Sequence, residues 1–64
     1  MNFWAIEQAY RLCKINPKLK SDWFCCISIA CQQRNINRLT DRDLHIVTYH
    51  WLASIMYHKI PTIN

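Results

Sequence analysis

The chain has no glycine, two prolines and four carboxylates in 64 residues, and it carries neither a catalytic nor a cofactor motif. Glu7, Asp22, Asp41 and Asp43 each stand beside a predicted helix start or in a surface pair, which leaves acid–base chemistry few candidates. Four cysteines and three histidines invite a zinc site, yet there is no C-x2-C pair and no pair of ligands four apart on a helix. His45 and His50, like Cys26 and Cys31, lie five residues apart, about 140° around a regular helix, so neither pair can chelate from one. The cysteines Cys25, Cys26 and Cys31 sit in the least polar part of the chain, where a thiolate is disfavoured and nucleophilic catalysis is not expected. The reading is therefore a non-enzyme without metal or cofactor.

Targeting signals are equally scarce. Met1-Asn2-Phe3-Trp4 has no basic n-region and no signal-type apolar segment follows, so Cys13, Cys25, Cys26 and Cys31 read as free buried thiols in a reducing cytoplasm. The longest apolar-rich stretch, Leu44 to Ile60, is short and carries three histidines and a lysine, which makes a membrane span unfavourable.

What the chain does have is apolar surface. It is 52% hydrophobic, with three Trp, three Tyr and two Phe, more than one small bundle can hide. A chain this short forms one domain, residues 1–64, and buries only a modest part of its surface. Self-association answers both constraints, because the excess of one subunit covers that of another; a homo-oligomer, with a dimer favoured, is expected.

The apolar centre is Trp23-Phe24-Cys25-Cys26-Ile27-Ser28-Ile29-Ala30-Cys31, nine residues with one hydroxyl and no charge. Ser21 stands where an N-cap should, Asp22 follows in the first turn, and Gln32, Gln33 and Arg34 extend the helical pattern. The predicted helix runs over about 21–34, is apolar nearly all round and is expected to form the covered core.

Before it, residues 2–14 read as an amphipathic helix with Phe3, Ala5, Ile6, Ala9, Tyr10, Leu12 and Cys13 on one face and a Glu7 to Arg11 pair on the other. Trp4 falls among its polar positions, either as a partly covered surface residue or as an interface anchor. Asn16-Pro17 ends this helix, since proline disfavours helical geometry before it, and Asn16 is also placed to cap a short turn with Pro17 at its first position. Arg11, Lys14, Lys18 and Lys20 make this connection the most basic part of the chain, read as solvated loop lysines ahead of a phosphate-binding surface.

Thr40-Asp41-Arg42-Asp43 resembles a capping box opening a third helix over about 41–59, which stops before Pro61. Two apolar stripes lie on nearly opposite sides of it. Leu44, Val47, Trp51 and Ile55 form one, while Tyr49, Leu52, Met56 and Ile60 form the other, with Thr48 among the polar residues between them. One subunit covers one stripe well, so Tyr49, Leu52, Met56 and Ile60, with Trp4, are the expected oligomer or partner interface.

The competing reading is a helix-turn-helix-like DNA-binding regulator, because Arg34, Arg38 and Arg42 cluster around the second connection. Against it, Asp41 and Asp43 open the would-be recognition helix, and apolar residues follow where base-contacting donors are needed.

Tyr10-Arg11-Leu12-Cys13, the run from Asn16 to Trp23 and the closing His58-Lys59-Ile60-Pro61-Thr62-Ile63-Asn64 give the chain a whole-sequence likeness. It resembles the small early-region proteins of lambdoid bacteriophages that are encoded between the recombination exonuclease and the excisionase. The resemblance implies a non-enzymatic host-takeover factor that favours lytic development or disturbs host physiology through a host or phage protein partner. It implies no active-site residues, and it places the protein in the host cytoplasm.

Overall fold

The computed structural model describes residues 3–59, and these form three helices: α1, Trp4–Ile15; α2, Lys18–Arg34; and α3, Asp41–Lys59. The fold is all-α, as the periodicity requires.

Each helix boundary has a local cause. Pro17, with φ −59°, is already in helical geometry, and the Lys18 N–H donates to the Asn16 side-chain oxygen at 3.2 Å. Leu19 and Lys20 N–H groups close back on the carbonyls of Asn16 and Pro17 at 3.0 and 3.1 Å, which tightens the first turn. The second helix thus begins at Lys18 rather than at Ser21, and Ser21 lies inside it. The Asn16-Pro17 turn and the apolar helix are one element.

At its far end α2 stops on Asn35, whose φ of 53° and ψ of 47° are left-handed. The Asn35 N–H reaches the Gln32 carbonyl at 3.1 Å and the Ile36 N–H reaches that of Cys31 at 3.0 Å, the two bonds of a Schellman ending. In a chain without glycine, asparagine takes the position, because its short polar side chain tolerates the left-handed region better than most. Thr40 opens α3 as expected: its hydroxyl accepts the Asp43 N–H at 3.2 Å and its carbonyl accepts the Leu44 N–H at 2.8 Å. The reciprocal carboxylate half of a capping box is not formed among the described residues.

The core is Ala5 and Ala9 of α1, Trp23 of α2, and Trp51 and Leu52 of α3, with Ile6, Leu12, Cys13, Leu19, Cys26, Ile27 and Ile55 packed around it. Two alanines at one helical spacing let α1 lie close against α3, and α1 and α3 share the most extensive contact in the fold. This corrects the expectation that the central helix forms the core. Only Trp23 of α2 is buried, while Phe24, Cys25 and Ile29 face outward. Each helix packs on the other two, and the side of α2 that carries Cys25 and Ile29 is left uncovered.

Thr48 departs further from expectation. Placed by pattern on a polar flank of α3, it is completely buried, with its hydroxyl accepting the Trp23 indole N–H at 2.9 Å. Trp23 stacks on Trp51 with ring centroids 5.6 Å apart and planes 18° off parallel. The Trp51 indole N–H in turn donates to the Asp22 carboxylate at 2.9 Å. Asp22 therefore serves a tertiary bond and not the first turn of a helix. Among the described residues no buried side-chain polar atom is left without a partner.

Candidate functional site

Two helices, α1 and α3, frame an apolar groove of about 540 Å³. Trp4, Gln8 and Leu12, spaced four apart along α1, form one wall, and Tyr49, Leu52, Ala53 and Met56 form the other. No lining residue carries a charge. Leu52 is 6% exposed and belongs to the core, so it is the floor of the groove. Trp4, Tyr49 and Met56 make its rim and remain 44, 47 and 65% exposed. The structure thus gathers four of the five residues expected at an interface, one as floor and three as rim; Ile60 lies outside the described residues.

Trp4 owes its position to His45, a residue to which sequence pattern gave no role. The His45 Nε2 accepts the Ala5 N–H at 3.4 Å, which satisfies one of the N–H groups that a helix start leaves open. The rings of Phe3 and Trp4 stand edge-on to the imidazole at 5.8 and 5.7 Å, and Trp4 meets Tyr49 edge-on at 5.7 Å. Nothing in the sequence marks a contact between residues forty apart, since His45 becomes a capping group only when α1 lies across it.

A second hollow, about 490 Å³, lies between α2 and α3 and is lined by Asp22, Cys26, Val47, His50, Trp51 and Ser54. It holds a thiol, an imidazole, a hydroxyl and a carboxylate, the residue types of nucleophilic sites. The electrostatics run the other way. Burial pushes the Cys26 thiol above its ordinary range, and the nearby Asp22 carboxylate and Cys25 add to the effect. Asp22 already accepts from Trp51, so the thiol is held neutral, the opposite of nucleophile activation. Cys25 is exposed, while Cys13, Cys26 and Cys31 are partly covered, and all four are free thiols. This corrects the expectation that the cysteines are uniformly buried. No group of three or more His, Cys, Asp or Glu is placed to hold a metal ion among the described residues.

The arginines of the DNA-binding alternative, Arg34, Arg38 and Arg42, are all exposed, at the end of α2, in the connection and in the first turn of α3. Asp41 and Asp43 occupy that same first turn. Among the described residues no helix is long and apolar enough to cross a membrane. No family model, curated protein or solved structure matches the chain.

Proposed function

We propose that this protein is a non-enzymatic interaction module that self-associates, most simply as a dimer, by seating a second copy on the groove between α1 and α3. The observation that carries this reading is the uncharged rim of Trp4, Tyr49 and Met56 above Leu52. Tryptophan, tyrosine and methionine are the residue types enriched at contact surfaces, and a pocket already shaped by packed side chains costs little ordering to fill.

A deficit of cover favours a second copy as the occupant. Among the described residues five form the core, two of them alanines, while ten large apolar side chains stay exposed, Ile15, Tyr57 and Met56 most of all. Closing the groove against its own copy shields Trp4, Tyr49 and Met56 in both subunits at once. The resemblance to lambdoid early proteins adds a host or phage protein as the target of the assembly and lytic development as the process served; that part of the reading rests on the resemblance.

Solution mass is the test. Light scattering coupled to size exclusion is expected to give twice 7.7 kDa for the intact chain and a single 7.7 kDa for Met56→Asp, with helical content by circular dichroism unchanged. Met56 is exposed, so the substitution leaves the core intact. An intact chain that runs as a monomer, or a Met56→Asp variant that keeps the larger mass, overturns the reading.

A further inference from the structure

Basic residues gather at one corner of the protein. Residues 11–20 hold Arg11, Lys14, Lys18 and Lys20 and no acid; the other four basic residues are balanced in number by the four carboxylates, so the formal net charge of +4 is that of this segment. The fold turns there from α1 into α2, and all four side chains are exposed.

The same corner presents aromatic rings. A groove of about 190 Å³ between α1 and α2 is lined by Tyr10, Cys13, Lys14, Lys20, Trp23 and Phe24. Buried Trp23 lies at its base, with Tyr10 edge-on at 5.4 Å and Phe24 tilted at 5.8 Å. Tyr10 and Phe24 are themselves 59 and 49% exposed, so both rings reach solvent beside the buried indole. Lys20 Nζ lies over the Phe24 ring, 5.8 Å from its centroid, a flexible cation that a stacking base would displace toward its own phosphate. The first-turn N–H groups of Lys18, Leu19 and Lys20 are already bonded to Asn16 and Pro17, so side chains and not a helix terminus make the site.

Cations alone suit any anion, and exposed rings alone suit any apolar partner. Rings flanked by lysines, with no carboxylate among them, suit a polyanion that carries planar unpaired bases. We infer that the Tyr10–Phe24 corner binds single-stranded nucleic acid, with Tyr10 and Phe24 stacking bases and Lys14, Lys18 and Lys20 following the phosphates. A duplex hides its base faces and lacks this complementarity. The site lies on the opposite side of α1 from the Trp4–Leu12 wall, so it stands independently of the self-association reading.

The test is fluorescence anisotropy of a labelled twelve-residue oligothymidine titrated with the full-length chain at several salt concentrations. Binding is expected to weaken with salt, with a log–log slope of about −2 to −3 for three or four neutralised phosphates on a single strand. Tyr10→Ala and Phe24→Ala should each cost about tenfold in affinity at constant salt, the effect of losing one stacked base. Lys14→Ala with Lys20→Ala should flatten the slope. Arg34→Ala with Arg38→Ala and Arg42→Ala, and Met56→Asp, should leave binding unchanged. All substituted side chains are exposed, and circular dichroism confirms the fold of each variant. Absence of binding at low salt, equal affinity for duplex DNA or for poly-glutamate, or loss of binding in the Arg34, Arg38 and Arg42 variant instead, each overturns the inference.

Discussion

Trp23 and Trp51 stack at 5.6 Å, and each donates its indole N–H to the helix that carries the other, Trp23 to Thr48 and Trp51 to Asp22. The pair fixes α2 on α3 in both register and rotation, because sliding either helix by one residue breaks both bonds together. The two bonds differ in depth: Thr48 is sealed from water, whereas Asp22 is exposed.

That difference sets the first prediction. Thr48→Val keeps the shape but leaves the Trp23 N–H buried without an acceptor, which should cost about 1–3 kcal/mol. Asp22→Ala should cost less, since water can replace the lost acceptor. Urea unfolding followed by tryptophan fluorescence compares the two; equal losses would mean the depth argument is wrong.

The close approach of α1 to α3 rests on Ala5 and Ala9, both without exposed surface. Ala9→Leu forces extra methylenes into that contact and should destabilise by about 1–3 kcal/mol. Thermal unfolding reads the effect as a lowered midpoint, with a leucine introduced at exposed Gln33, outside the described grooves, as the control.

Asn35 holds a left-handed conformation at the end of α2. Asn35→Val places a β-branched side chain where the Cβ meets the following carbonyl, a penalty of about 1–2 kcal/mol. Asn35→Gly, free of that clash, should be tolerated. Denaturant midpoints that do not separate the two variants would remove the left-handed ending from the account of this helix boundary.

Cys26 gives a pH dependence. Its thiol is raised above the ordinary value of 9.0 by burial, by Asp22 and by Cys25. The unfolded chain therefore ionises this thiol first as pH rises, and stability that is complete below about pH 9 declines as pH climbs from there through the folded-state value. Cys26→Ala should show a shallower loss above about pH 9 than the intact chain in urea titrations, the remaining slope belonging to other groups.

Much of the fold follows from local pattern. Three helices, the opening of α3 at Thr40 and the break at Asn16-Pro17 are consequences of capping groups, proline geometry and apolar spacing, all interactions within a few residues of one another. The outward position of Tyr49 and Met56 was legible in part: the helical period separates two apolar stripes on α3, and the tyrosine and methionine of one mark it as the outward one, although Leu52 of that stripe is buried.

Tertiary structure alone decided how those faces are spent. Composition makes Trp23 to Cys31 look like a core, yet a helix is buried only where another covers it, and the two larger helix contacts are both made by α3. Thr48 became buried because α2 packs Trp23 over that flank of α3, where its hydroxyl supplies the acceptor the indole N–H needs, and His45 became a helix cap because Ala5 and Ala9 brought α1 within its reach. Leu52 became floor instead of rim for the same reason. The sum of the charges was in the sequence; that the excess meets Tyr10 and Phe24 at one corner is a product of the turn between α1 and α2.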